Sequence, residues 1–410
     1  MDFFGKIFRG DRVVWIIFII LCLISIVEVY SASARLTYAV HYWQPILKHS
    51  IGILIGLAVA LAIHAIPPRF FSAIGGAIPI VWGLLLYACI IHSRSVFGIH
   101  PIELAKISLI VLAAFLFSQR TGKNVNTIFW WVIGITAITC VPVAKLNGSS
   151  ALLLCGVIYI MLFIAQMPWK KMLGLTAVLL AFGIIAGSLL WNLSKDTLNG
   201  HFISETLGLT RADIWQDRLK NFFSEDEKDN VNSPNFNIHS DNEQANLAQI
   251  AIANGGWIRF APGKSIERDF LPDSVSDFIY AIIIEEFGLA GGFFVLLLYI
   301  ILFIRAGIIA NRTDKPFLKL IVLGSSIMMM VQALVHIGSC VQSIPVTGQT
   351  LPLISKGSTS ILVVCAYFGM ILSVSRYENP RGVKQEENID AEMIAASEEL
   401  NNETNHEEAI

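Results

Sequence analysis

Long apolar segments, each close to the length that crosses a bilayer, constrain this chain more than any other feature. A spanning helix needs roughly 20 mostly apolar residues, and segments of that kind recur about ten times along the 410 residues. They lie near 13–31, 46–66, 70–91, 101–118, 127–143, 150–166, 172–192, 277–304, 317–344 and 355–376. The sequence therefore predicts an all-α polytopic membrane protein with about ten transmembrane helices.

Composition excludes several other classes of protein. The chain is 55% hydrophobic and 15% charged, with a mean hydropathy of +0.64, whereas soluble domains carry roughly 25% charged residues. The formal net charge is −2, and the sequence holds no basic cluster and no zinc-ligand spacing of the kind that nucleic-acid-binding proteins use. We therefore expect a membrane environment and no nucleic-acid partner.

The distribution of lysine and arginine predicts the orientation of the helices. Positive residues flank short cytoplasmic loops more than external ones, and one set of helix ends is rich in them, as at Lys170 and Lys171 or at Arg312 and Lys315. The opposite short loops hold few, namely Arg35, Lys48, Arg94, Lys145 and Lys356. Both termini are therefore predicted to be cytoplasmic, with one large loop, 193–276, outside the cytoplasm.

Two polar regions complete the organisation. In the second half of the large loop, NEQANLAQIAIANGG has helical spacing and ends at Gly255 and Gly256. It predicts an amphipathic helix that lies on the outer membrane surface or packs against the helix bundle. Residues 1–376 form the predicted membrane domain, and 377–410 read as an acidic, disordered cytoplasmic tail.

Asp277 lies where a polar stretch gives way to an apolar run that contains Glu285 and Glu286. This pattern predicts that a helix starts here with Asp277 at or near its N-terminal cap, where the helix dipole favours a charged carboxylate. A plain cap would explain Asp277 without any chemistry. Acidic residues inside a spanning segment are costly and mark functional sites in many membrane proteins.

A second charged feature opens the segment PIELAK. Glu103 and Lys106 are separated by three positions, so they share one face of a helix. A charged pair in a membrane helix predicts contact with the bundle interior or a water-filled cavity. The pair either forms the polar floor of a substrate cavity or is an internal ion pair without a ligand.

Three further stretches interrupt the apolar pattern. TGQTLPLISKGSTS offers a cation at Lys356 and a hydroxyl at Ser358 where the last helix begins, which suits an anionic group such as a phosphate; a plain turn is the alternative. Arg211 and Arg218 are spaced to share a helix face and could hold a pyrophosphate or form surface ion pairs. The break at 147–150, NGSS, is either a cavity-lining element or an ordinary turn.

Taken together, these stretches resemble the SEDS family, which comprises FtsW, RodA and SpoVE. FLPDSVSDFIYAIIIEEFGLAGG, around Asp277, resembles the family's LPEAxxDFIFAxxxEExGxxG, and PIELAK resembles QPSELAK. GGWIRFAPGKS, RLKNFF and TGQTLPLISKGSTS resemble the family's GGxxGxGxGxS, Arg-x-x-x-Phe and TGxxLPFxSxGGSS. The resemblance runs from about Val13 to Tyr377 in the family's order and spacing.

The chain departs from the family pattern in three places. SRSVFG, which holds Arg94, stands where the family has a turn rich in Gly, Arg and Trp. KLNGSSALLL lacks the Pro-Asp of the family's QPDxGTA. Lys356 replaces a Tyr found in many members, and Ser358-Thr359 replaces Gly-Ser.

The resemblance implies a peptidoglycan glycosyltransferase in the bacterial cytoplasmic membrane that polymerises lipid II on the outer face. Asp277 matches the family's essential acidic residue and would act as general base. Arg218, Arg211 and Lys356 would stabilise the pyrophosphate leaving group. Ser358, Glu103, Lys106 and Arg94 are further candidates for substrate binding. No cofactor is certain, and a divalent cation is possible.

The wording DRVVWIIF…SIVEVYSAS and APGKS…SDFIYAIIIEE favours the division branch of the family. That branch implies a class B penicillin-binding protein as the transpeptidase partner, divisome activator proteins and a position at the septum. An elongation polymerase is the alternative within the family. A lipid II flippase or a scaffolding subunit are the alternatives from other classes; a flippase predicts charges along a full transmembrane path and repeat symmetry.

Overall fold

A computed structural model describes residues 9–33, 44–73, 77, 79, 81–84, 100–192, 212–223, 243–271 and 273–377. Within these ranges the regular secondary structure is helical. The α-helices are α1 (Arg12–Ala32), α2 (Gln44–Ala65), α3 (Pro68–Ala73), α4 (Pro101–Ser118), α5 (Val125–Leu146), α6 (Gly148–Ile164), α7 (Trp169–Asn192), α8 (Ala212–Phe223), α9 (Glu243–Gly255), α10 (Ile279–Arg312), α11 (Pro316–Cys340) and α12 (Ser358–Tyr377).

Eight helices in the described part of the chain are long and apolar enough to cross a membrane. They are α1, α2, α4, α5, α7, α10, α11 and α12, and α6 is a shorter apolar helix. These nine helices coincide with nine of the predicted spans, while most of the predicted span 70–91 lies outside the described residues. The predicted class, an all-α polytopic membrane protein, is confirmed.

The last helix, α12, forms the centre of the bundle. It packs against α2 and α11, and its side chains are almost wholly buried. Gly369 lets α12 approach α2 closely, because a Cβ there would come within 2.8 Å of the Ala60 carbonyl oxygen. Small residues of this kind allow close helix packing in membranes. The second half of α12 is therefore packed closely against α2.

The helix α10 is broken near its beginning. Its 34 residues would extend about 51 Å at 1.5 Å per residue, well beyond the roughly 30 Å hydrocarbon core. Gly288 adopts φ 74° and ψ 179°, which interrupts the helical backbone. The freed backbone groups bond to the loop that follows α9: Leu289 N–H donates to Gly256 O at 2.9 Å, and Ala261 N–H donates to Glu286 O at 2.9 Å.

The predicted helix in the large loop exists as α9 and packs against α10. Ala248 and Ala251 are fully buried in that contact, and Gly255 lies so close to Ile284 O that no side chain fits there. Of the two placements that the sequence left open, packing on the bundle is observed. The predicted tail lies, beyond Tyr377, outside the described residues.

Candidate active site

Asp277 lies in the turn 273–278 that leads into α10. It lies directly before the N-cap position, which Phe278 occupies, and no side chain caps the first turn, so the alternative of a plain cap is not observed. The backbone of Asp277 instead closes a tight turn, in which its N–H donates to Asp273 O at 3.0 Å. The carboxylate is therefore not used to stabilise the helix start.

Hydrogen bonds attach this turn to the segment 347–358. Lys356 N–H donates to Val275 O at 3.0 Å, and the Ser355 hydroxyl donates to Ser276 O at 2.7 Å. On the other side, a Cβ added to Gly348 would lie 3.4 Å from Asp277 Oδ2. Two motifs that are distant in the sequence thus form one surface, with Asp277 at its centre.

Burial raises the pKa of Asp277 above its ordinary value of 3.8. A hydrogen bond from Ser276 lowers that pKa, the nearby Asp273 carboxylate raises it, and the Arg218 guanidinium lowers it. The sequence had predicted that the helix dipole would favour the charged carboxylate; the net shift of the pKa is in the opposite direction, because desolvation outweighs the favourable interactions. An acid with a raised pKa is better suited to accept a proton near neutral pH.

Arg218 reaches this site from the large loop between α7 and α10. It lies on α8, and its charge attracts the Asp277 carboxylate. Trp191 at the end of α7 contacts Phe223 at the end of α8, with the ring centroids 6.4 Å apart. The structure therefore brings together Asp277 and Arg218, two residues that the sequence had selected independently.

A cavity of about 580 Å³ opens beside the turn. The residues that line it include Lys48, His49, Asp273, Lys356 and Ser358, together with Ser276, the neighbour of Asp277. Lys48 and Lys356 come from opposite ends of the sequence, so two cations meet at one concave surface. A concave site with converging polar groups is a typical ligand-binding site.

Sequence reasoning missed Lys48 and His49 as site residues. Lys48 served only as evidence for orientation, although it is a lysine in the first turns of an apolar helix on the side that is poor in basic residues. That placement is the signal that could have revealed it. The neighbouring His49 is buried and bonds through Nε2 to the Ser25 hydroxyl at 2.8 Å.

The predicted Glu103–Lys106 contact is present. Lys106 Nζ lies 2.7 Å from Glu103 Oε1, and the lysine side chain is 1% exposed. The N–H of His100, just before this helix, donates to Thr359 Oγ1 at 3.1 Å, which joins the start of α4 to the start of α12. Neither member of the pair is among the described residues that line the 580 Å³ cavity.

Glu285 and Glu286 are buried and bind the loop 263–267. Glu285 Oε1 accepts the N–H of Ile266 at 2.8 Å, and its other oxygen bonds the Ser265 hydroxyl. Glu286 accepts the N–H of Gly263 at 3.0 Å and that of Ser265 at 3.2 Å. Both carboxylates therefore fix the loop that precedes the Asp277 turn.

Two predicted site residues, Arg94 and Arg211, lie outside the described residues. Within the part of the chain that the structure describes, no group of three or more His, Cys, Asp and Glu side chains is arranged to hold a metal ion.

The family model for cell cycle proteins of the FtsW, RodA and SpoVE type matches residues 11–380. The chain belongs to this family. A relative from Enterococcus hirae, named "Probable peptidoglycan glycosyltransferase FtsW", is 27% identical over 93% of this chain and 96% of its own length. A relative of the same name from Lactococcus lactis subsp. lactis is 27% identical over 72% of this chain and 70% of its own.

A solved structure also shares the fold. A chain of the structure described as "Structural coordination of polymerization and crosslinking by a peptidoglycan synthase complex" superimposes with a TM-score of 0.67 at 20% identity. The match covers 90% of this chain and 99% of that one. The identity is low, so this likeness supports the fold alone.

Proposed function

We propose that this chain is a peptidoglycan glycosyltransferase that polymerises lipid II on the outer face of the cytoplasmic membrane. The observation that carries the proposal is Asp277, a half-buried acid with a raised pKa that faces Arg218 beside a cavity with two lysines. The names of the relatives from Enterococcus hirae and Lactococcus lactis support the same activity.

Asp277 is the general base in this proposal. It takes the proton from the 4-hydroxyl of the acceptor sugar, whose oxygen then attacks the anomeric carbon of the donor. The bond from that carbon to the pyrophosphate oxygen breaks, its electron pair leaves with the lipid pyrophosphate, and the configuration inverts. Because the leaving group is already an anion, no acid is required, and nearby positive charge is the larger contribution.

Lys356 and Lys48 supply that positive charge at the cavity, and Arg218 supplies it next to Asp277. Asp273 also lines the cavity and opposes anion binding, so the two lysines together must outweigh it. Ser358, at the start of α12, adds a hydroxyl donor. Roles in substrate binding remain predictions for four residues. Arg94 and Arg211 lie outside the described residues, and Glu103 and Lys106 are not among the described residues that line the cavity.

The division branch is the proposed biological setting, because the relatives from Enterococcus hirae and Lactococcus lactis carry the name FtsW. In this proposal the chain works at the septum, with a class B penicillin-binding protein and divisome activators as partners. The related solved complex is described by the words "polymerization and crosslinking", which support such a pairing. An elongation polymerase remains the nearest alternative, and the names of the relatives do not favour a flippase.

The test is polymerisation of labelled lipid II by the purified protein, with and without the transpeptidase. Asp277→Asn should lower the rate at least about 100-fold, the smaller contribution expected of a general base, while expression and partner binding stay normal. Asp314→Asn, an exposed acid between α10 and α11, is the matched control. Near-normal polymerisation by Asp277→Asn would move the base elsewhere.

A further inference from the structure

Trp215 packs directly on Gly148, and any larger residue at position 148 would displace the indole ring. A Cβ added to Gly148 would come within 2.5 Å of Trp215 Cζ2 and 2.7 Å of Cε2. Gly148 begins α6, directly after Asn147, whose side chain accepts the N–H of Ser150 at 3.3 Å. The indole therefore rests on the backbone of a turn whose shape is fixed by its own hydrogen bond.

The same turn also touches the segment that contacts Asp277. Gln349 Nε2 donates to the Ser150 hydroxyl at 3.0 Å. Gln349 follows Gly348, whose added Cβ would lie 3.4 Å from Asp277 Oδ2. The turn 147–150 is thus in contact both with the helix that bears Arg218 and with the backbone beside Asp277.

Trp215 and Arg218 are separated by three positions on α8, so their side chains share one face of that helix. The contact of Trp215 with Gly148 therefore fixes the rotation and depth of the face that carries the guanidinium. Gln216, between them, is fully buried, which further opposes rotation of α8 in place.

We infer that the contact between Gly148 and Trp215 is a positioning device that sets the place of Arg218 relative to Asp277. This inference rests on the proposed function. Trp215 and Gly148 act here only through Arg218. The break NGSS, which the sequence left open between a cavity element and an ordinary turn, gains a specific role in this way.

The pH dependence of the reaction is the readout, because it reports the surroundings of Asp277. The charged and titratable groups that act on this carboxylate are Asp273 from its own turn and Arg218 from α8, and the Cys340 thiol of α11 faces it. Arg218 lowers the pKa of Asp277. If Arg218 moves away, that pKa rises, and the acid limb of the rate profile moves to higher pH.

The experiment compares Gly148→Ala with Gly156→Ala in the purified complex with its transpeptidase. Both substitutions add one methyl group to α6, but at Gly156 the added Cβ meets nothing within 4 Å. We expect Gly148→Ala to move the acid limb upward by about half to one pH unit, at the low end of the effect of a nearby opposite charge. Gly156→Ala should leave the limb where it is in the wild type.

Two further variants keep the test decisive if Gly148→Ala folds poorly. Trp215→Ala should move the limb as Gly148→Ala does, and adding Gly148→Ala to it should cause no further shift. Arg218→Gln should set the upper limit of the shift. A shift in Arg218→Gln with none in Gly148→Ala or Trp215→Ala would overturn the inference, as would no shift in Arg218→Gln. Undiminished polymerisation by Asp277→Asn would instead overturn the assignment of the base, and the absence of lipid II polymerisation by the wild-type complex would overturn the proposed function.

Discussion

Asp277 and the pair Glu285 and Glu286 are acidic residues close together in the chain, and the structure uses them in opposite ways. Asp277 is half-buried in a turn beside a cavity, with a raised pKa and a cation facing it. The two glutamates are fully buried and accept hydrogen bonds from the loop 263–267. Asp277 thus adjoins Ser276, a residue of the cavity lining, whereas the oxygens of the two glutamates are occupied by the protein.

This difference shows that the role of a buried acid depends on the groups that its carboxylate contacts. A carboxylate whose oxygens are filled by backbone N–H groups stabilises a loop, because removing it leaves those donors unpaired in an apolar setting. A carboxylate beside a cavity can exchange a proton with a ligand. We therefore expect changes in the two regions to affect different measurements, stability in one and activity in the other.

The largest effect on stability is expected at Gly288, where the loop crosses the break in α10. Gly288→Ala combines a backbone conformation that is reserved for glycine with a Cβ placed 2.8 Å from Trp257 O. We expect a loss of roughly 3–5 kcal/mol, measured as thermal unfolding in detergent. Gly307→Ala, on the same helix with open space around it, is the control and should not destabilise; equal stability of the two variants would contradict the described crossing.

A smaller loss of stability is expected when Glu286 becomes glutamine. Glu286→Gln removes charge-assisted bonds to Gly263 and Ser265, each worth about 1.5–3 kcal/mol. The melting temperature should fall, while the folded fraction still polymerises lipid II. Asp277→Asn should show the reverse pattern, with the melting temperature kept and the activity lost. If both variants lose only activity, the separation between the two regions fails.

The Glu103–Lys106 pair provides a third case, in which two charges satisfy each other. Glu103→Gln or Lys106→Met alone leaves one charge uncompensated. Each single variant should therefore lose more stability, relative to the wild type, than the double variant loses. Folded yield and thermal unfolding of the four proteins measure the coupling, expected at about 1–3 kcal/mol. Additive losses would show that the contact of 2.7 Å contributes nothing.

The smallest effect is expected at the two lysines of the cavity. Lys48→Met and Lys356→Met should each raise the KM for lipid II about tenfold, since one charge-assisted contact is worth roughly 1.5 kcal/mol or more. The melting temperature should change little, because Lys48 is exposed and Lys356 is only half-buried. Lys170→Met, an exposed lysine at the start of α7, is the control. An unchanged KM in both cavity variants would remove the cavity from the substrate path.

The helical spans could be predicted from the sequence because length and apolar content are local properties. The contact between Glu103 and Lys106 could be predicted for the same reason, since helical spacing alone brings them together. Nine of the predicted spans coincide with helices of the structure. Their ends agree to within several residues, except that α10 extends to Arg312, eight residues beyond the predicted end at 304.

The environment of Asp277 could not be predicted from local pattern. Its pKa depends on burial against the segment 347–358, and that contact is tertiary. The plain helix cap, the alternative interpretation of Asp277, rested only on the neighbouring residues and is not observed. Lys48 was overlooked in the same way, because its proximity to Lys356 arises only when α2 packs beside α12.

The central claim, that Asp277 accepts the proton, is tested most directly by the pH dependence of single-turnover polymerisation. A base must be deprotonated, so the rate should fall as pH falls through the pKa of Asp277, with a midpoint above the ordinary value of 3.8 because burial raises that pKa. The residual rate of Asp277→Asn should lack this acid limb. An acid limb that is the same in the wild type and in Asp277→Asn would contradict the account.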